Sequence, residues 1–257
     1  MSLFHRDLGG AGNPSLLVLH GMLGSSRNWA TAGAGLSDFF HVRAVDLPNH
    51  GKSFHMSQAS VAEMADEVLS WMDDEGVGTT SIMGHSLGGK VAMRLAVDHP
   101  DRFARLFVLD VMPKVYPTDP TALDAMLAVD LTSLRSRADA DAALATTIPS
   151  QAHRSFLLTN LVRNDDDTYG WQVPLGTIRD HLSEWTPTVL HARDVYPGPA
   201  HFLAGGRSNY VSRDDFESVR QHFPDADLTI LPESGHNVHI DGGPAFVDAV
   251  RTALESK

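Results

Sequence analysis

The chain has 257 residues, 42% apolar and 20% charged, with a formal net charge of −12 and no cysteine. The acidic balance argues against binding to nucleic acid or an anionic membrane surface, and the absence of thiols removes disulfides, thiolate nucleophiles and cysteine-ligated metals. The longest apolar runs, such as Leu16-Leu17-Val18-Leu19, are far too short to span a bilayer, and residues 1–10 hold no apolar signal-peptide core, so a cytoplasmic protein is expected.

Apolar strand-like runs alternate with amphipathic helical ones along the first part of the chain. Residues 15–20 read as a buried strand, 26–39 as a helix whose start is marked by Ser25-Ser26, and 41–45 as a second strand. A helix follows to Gly76, opened by the capping-box pair Ser60 and Glu63, with Val61, Met64, Ala65, Val68, Leu69 and Met72 on one face. Residues 79–83 form a strand, 86–98 a helix stopped before Pro100, and 106–110 the next strand. This alternation predicts an α/β fold, a mostly parallel sheet with helices on both faces. Ligands of such sheets bind beyond the carboxyl ends of the strands.

From residue 112 to 195 strand-like runs nearly vanish, and helices are expected at 120–129, 138–146, 151–162 and 174–185. Asn164-Asp165-Asp166-Asp167 marks a turn between two of them. This segment reads as a helical cap inserted in a core made of residues 1–111 and 196–257. The α/β pattern then resumes, with strands at 200–204 and 227–231 and helices at 212–222 and 244–254.

The most informative stretch is Gly84-His85-Ser86-Leu87-Gly88-Gly89, between a strand and a helix. In that context Gly-x-Ser-x-Gly is a nucleophile elbow, a sharp turn that tolerates only small residues two places before and after an exposed serine. Taken alone, the pentapeptide is also compatible with a glycine-rich turn that happens to hold a serine. Two backbone N–H groups would complete an oxyanion hole, that of Leu87 after the nucleophile and that of Met22 in the loop His20-Gly21-Met22-Leu23-Gly24.

Among 14 histidines, His236 is favoured as the base because Gly235-His236 follows the last strand; His239 is its competitor. The loop after the strand at 200–204 carries Ser208 where an acid would be expected, and serine cannot supply the charge that stabilises an imidazolium. Asp110, at the end of the strand beside the elbow, is therefore preferred. Asp214 and Asp215 are alternatives explained equally well by capping of a helix. Ser208 becomes a fourth member on His236 or Asp110, or simply a turn serine. The loop Asp46-Leu47-Pro48-Asn49-His50-Gly51-Lys52-Ser53 lacks the first glycine of a phosphate loop and reads as support for the elbow.

Taken in order, His-Gly-x-x-Gly, Asp-x-x-x-His-Gly-x-Ser, Gly-x-Ser-x-Gly-Gly, a helical insert and a late Gly-His resemble the α/β-hydrolase superfamily over nearly the whole chain. Asn49-His50-Gly51, Asp110 and Gly205-Gly206-x-Ser208-x-Tyr210-Val211 resemble, more narrowly, the small bacterial esterases of the YbfF type. In that branch the acid follows the strand after the nucleophile helix and a serine occupies the usual acid site, which implies those roles for Asp110 and Ser208.

The expected activity is hydrolysis of short- to medium-chain carboxylic esters by a serine nucleophile, with a small-molecule ester or thioester as partner and no cofactor or metal. A monomer or homodimer is expected. His20, Leu23, His85, Phe156, Trp185, Tyr210 and Asn237 are expected around the substrate, with Leu157, Leu158, Leu161, Trp171 and Leu182 either lining the pocket or packing the cap onto the core. Aspartate-nucleophile dehalogenases and epoxide hydrolases are excluded by Ser86. An acyl-CoA thioesterase would need convergence among Arg135, Arg137, Arg154, Arg163, Arg179 and Arg193; a scattered, solvated set is the simpler expectation. A non-catalytic small-molecule binder is the alternative of a different class.

Overall fold

The computed structural model describes residues 2–255. Its first half contains β1 (His5–Asp7), β2 (Ser15–Leu19), α1 (Ala30–Leu36), β3 (His41–Val45), α2 (Val61–Asp74), β4 (Thr80–His85), α3 (Leu87–Asp98) and β5 (Phe103–Leu109). The inserted segment holds α4 (Thr121–Leu127), α5 (Arg137–Ala145), α6 (Gln151–Leu157), β6 (Leu161–Arg163), β7 (Tyr169–Trp171) and α7 (Leu175–Trp185). The chain closes with β8 (Ala200–Gly205), α8 (Arg213–Val219), β9 (Ala226–Leu231), α9 (Val238–Asp241) and α10 (Gly243–Glu255).

Seven strands form one sheet in the order β1-β3-β2-β4-β5-β8-β9. All neighbours run parallel except the edge pair β1 and β3. Every residue of β4 and of β8 is buried, as expected for central strands covered on both faces. Side chains alternate between two apolar layers: Leu17 and Leu19 of β2 join one cluster, Leu16 and Val18 the other. The first layer packs α2 and α3, and the second packs α1 and α10.

Residues 112–195 add no strand to the main sheet. Their Leu157, Ile178, Leu182 and Trp185 belong to the same apolar cluster as α2 and α3, so the insert is packed on the core rather than tethered beside it. Trp185 Nε1 donates to the Ala59 carbonyl at 2.5 Å. Lys90 of α3, 4% exposed, donates through Nζ to the carbonyls of Trp185, Thr186 and Pro187 at 2.6, 3.1 and 2.9 Å. Burial pulls its ammonium down to about 8, so it remains largely charged at neutral pH. No helix among the described residues is long and apolar enough to cross a membrane.

Several elements differ from expectation. The single helix expected over 26–39 is a 3-10 turn, Ser26–Trp29, followed by the shorter α1. Gly33 and Gly35 weaken helix propensity in that stretch. The edge strand β1 was not anticipated; its three residues are too few to show a period. The helix expected over 151–162 stops at Leu157, where Asn160 Nδ2 donates to the carbonyls of Leu157 and, across to the core, Leu23 at 3.3 and 2.9 Å. The chain then turns into β6, which pairs with β7 across the 164–167 turn.

Candidate active site

The elbow is built by backbone crowding. Ser86 sits at φ 51° and ψ −115°, a strained conformation for a residue with a side chain. A Cβ on Gly84 would lie 2.1 Å from the Gly88 carbonyl oxygen, and one on Gly88 would lie 2.5 Å from that of His20. Both glycines are therefore steric requirements of the β4–α3 turn. The Leu87 N–H is at the first position of α3, where backbone donors have no intrahelical partner.

The loop 20–24 is held against this turn from below. His20 is buried; its Nδ1–H donates to the Gly21 carbonyl at 2.8 Å, and its Nε2 accepts from Leu47 N at 3.0 Å. Both ring nitrogens are thus used within the loops, and His20 is absent from the cavity wall. The expectation that it touches substrate is corrected: it joins the 20–24 and 46–53 loops. Asp46 accepts from Ser26 N at 2.5 Å and Lys52 N at 2.8 Å, and a Cβ on Gly51 would strike its carboxylate.

Asp110 directly follows β5, at φ 51°. Its side chain is wholly buried, and the His236 Nδ1–H donates to Oδ2 at 2.8 Å. Gly205 N donates to the other oxygen at 2.9 Å, and the Ser208 hydroxyl donates to Oδ2. Ser208 therefore lies on Asp110 rather than on His236. Asp215, a competing acid, pairs with Lys114 at 2.5 Å, and its backbone N–H donates to the N-cap hydroxyl of Ser212 at the start of α8.

His236 is held on further sides. Tyr210 stacks on its ring with centroids 4.0 Å apart. His85 Nε2 lies 2.9 Å from the His236 carbonyl, which can only accept, so His85 is protonated on Nε2. Burial drives the His85 pKa well below its ordinary value, keeping the ring neutral. With Nδ1–H committed to Asp110, neutral His236 carries its free lone pair on Nε2. His239 is buried and stacked on Trp29, and burial lowers its pKa to about 3. His239 is thus a buried neutral ring, whereas the His236 side chain is partly exposed.

Ser86 and His236 open on one cavity of about 480 Å³, walled also by Met22, Leu23, His85, Phe156, Tyr210 and Asn237. Trp185 is absent from this wall; it lines a smaller adjoining space of about 110 Å³ that also reaches Ser86, together with Leu87 and Leu182. Leu157 lines the large cavity, whereas Leu158, Leu161 and Trp171 line neither and pack the insert on the core. The arginines do not converge. Arg154, Arg163 and Arg179 pair with Asp141, Asp167 and Asp124, while Arg137 donates to backbone carbonyls.

Asp119 and Tyr116 were not singled out from sequence. Asp119 borders both spaces, and its hydrogen bonds from Thr121 hold its carboxyl below the usual range. The Tyr116 hydroxyl accepts from Met112 N and donates to the Tyr210 carbonyl. Both lie in an irregular stretch without periodicity. Lys90 did carry a signal, a cation in the otherwise apolar run 87–93, all of which is buried. Among the described residues no group of three or more His, Asp or Glu side chains is arranged to hold a metal ion.

Residues 14–243 match the family model of the alpha/beta hydrolase fold. The chain belongs to the α/β-hydrolase family. It is 34% identical to the sn-1-specific diacylglycerol lipase ABHD11 of Mus musculus, covering 96% of this chain and 82% of that protein. Esterase YbfF of Escherichia coli (strain K12) is 27% identical, over 94% of this chain and 93% of its own length. A solved structure of a marine microorganism esterase superposes with a TM-score of 0.93 at 30% identity, covering 98% of this chain and 99% of that one.

Proposed function

We propose that the protein is a serine carboxylesterase that hydrolyses carboxylic esters through an acyl-enzyme, with residues 112–195 as its cap. One arrangement carries this reading: a strained Ser86 shares a cavity with His236, whose Nδ1–H is committed to buried Asp110. The esterase and lipase names of full-length relatives support it.

Ser86 Oγ attacks the ester carbonyl carbon while His236 Nε2 takes its proton. The Leu87 and Met22 N–H groups receive the oxyanion. The carbon–oxygen bond to the alcohol then breaks, and His236 returns the proton to the leaving oxygen. Water attacks the acyl-enzyme, His236 accepts its proton, and Ser86 leaves with that proton as the carboxylic acid departs. Asp110 fixes the His236 tautomer and balances its transient charge. Ser208 and the Gly205 N–H hold the carboxylate in place.

An acyl-CoA thioesterase fits less well, since no Lys or Arg stands among the described residues around the large cavity and Asp119 adds negative charge there. The test is hydrolysis of p-nitrophenyl esters beside Ser86→Ala, with fluorophosphonate labelling. Wild type turns over and is labelled, and the variant loses about 10³-fold or more of the rate. Folded wild type that neither turns over nor labels would leave a binding protein as the better reading.

A further inference from the structure

The two spaces around Ser86 differ in size and in most of the residues that line them. They share Met22, Ser86, Asp119 and Tyr210. His236 and the following Asn237, His239 and Ile240 border only the large one, whereas Lys90 and Val111 border only the small one.

Proton transfer orients an ester between them. The leaving oxygen must take its proton from His236, so the alcohol lies on the His236 side and the acyl chain on the opposite side. We propose that the small space beside α3 is the acyl site and the large cavity is the leaving-group site. The preferred substrates are then short-acyl esters of bulky, uncharged alcohols. This assignment rests on the esterase reading.

The linings agree with it. Met22, Leu87, Val111, Leu182 and Trp185 give the small space an apolar side suited to a hydrocarbon chain, while Lys90, Tyr116, Asp119 and Thr186 also line it. A cavity of about 150 Å³ holds a benzene ring, so the volume of the small space, about 110 Å³, has room for roughly four carbons. The large cavity adds Asn28, Ser150, His153 and Asn237, groups that can hydrogen-bond a polar alcohol. Its wall also holds His239, whose buried Nδ1 has no protein partner. Burial keeps His153 and His239 toward the neutral form, and ionised Asp119 stands at the junction, so anionic groups are disfavoured.

The assignment is tested with the full chain by crossing acyl length with alcohol size. The substrates are acetate, butyrate and octanoate esters of p-nitrophenol, together with butyrate and octanoate esters of 4-methylumbelliferone, a bulkier leaving group of similar acidity. kcat/KM is expected to fall by about tenfold or more from butyrate to octanoate with either alcohol. Changing the alcohol at fixed acyl chain shifts it by only about threefold or less. Leu182→Ala raises the octanoate-to-butyrate ratio by about fivefold or more, and Phe156→Ala, in the large cavity, changes the ratio between alcohols instead. Should Leu182→Ala not fold, the milder Leu182→Val carries the same comparison. Octanoate cleaved as well as butyrate, or a reversal of the two variants' effects, overturns the assignment while leaving an esterase. Absence of Ser86-dependent turnover on every ester removes the esterase reading and the assignment with it.

Discussion

Asp110 is buried and carries two side-chain donors, the His236 Nδ1–H and the Ser208 hydroxyl, with the Gly205 N–H on its second oxygen. Asp110→Asn leaves a neutral amide that can present its own N–H to His236 and favour the wrong tautomer. A fall in kcat of about 10²- to 10⁴-fold is expected at neutral pH. Ser208→Ala removes one donor and leaves the charge, so a loss of only about threefold to thirtyfold follows. Near-wild-type activity in Asp110→Asn would rule out Asp110 as the acid. His85 acts on the same imidazole through the backbone, its Nε2–H holding the His236 carbonyl. His85→Phe is expected to lower kcat by about tenfold with little change in KM, and His85→Gln, which keeps a donor, to recover most of it. Equal loss in both variants would show that packing rather than the hydrogen bond matters.

At the scale of elements, the helix after Ser86 also anchors residues 112–195. Lys90 lies one turn beyond Ser86 and satisfies three carbonyls at the end of α7. Lys90→Met keeps the apolar stem and strands those acceptors, which should destabilise the fold by about 3 kcal/mol. Urea denaturation measures that loss. Limited proteolysis should show cleavage within residues 112–195 before the α/β core, whereas uniform cleavage would mean that Lys90 stabilises the whole chain evenly.

For the whole molecule, acid sensitivity follows from buried imidazoles. Burial lowers His50 and His239 to about 3 from an ordinary value of 6.5. Below about pH 6.5 the unfolded chain takes up protons that the native state refuses, so stability is full above that pH and falls as pH drops toward 3. Each histidine contributes a loss of about 1.4 kcal/mol per pH unit, or about 4 kcal/mol for the pair by pH 5. The urea midpoint should hold steady from pH 8 to 7 and decline below pH 6, less steeply in His50→Asn. A midpoint unchanged down to pH 5 would mean that the rings titrate freely in the folded protein.

The α/β alternation, the Ser60–Glu63 cap and the elbow glycines were legible in the sequence because each depends on neighbours within a few residues. The placement of Asp110 at a strand end was legible too, since β5 follows the elbow helix and pairs beside β4. Only the tertiary structure decided the rest. His20 and His85 flank loops near the serine in equally suggestive motifs, yet one is locked between two loops and the other faces the cavity. Phe156 and Trp185 come from similar amphipathic helices but line different spaces. The physical reason is range: steric turns, caps and strand periods are set by local geometry. Which space around Ser86 a residue of the 112–195 segment reaches depends on how segments distant in the chain pack together.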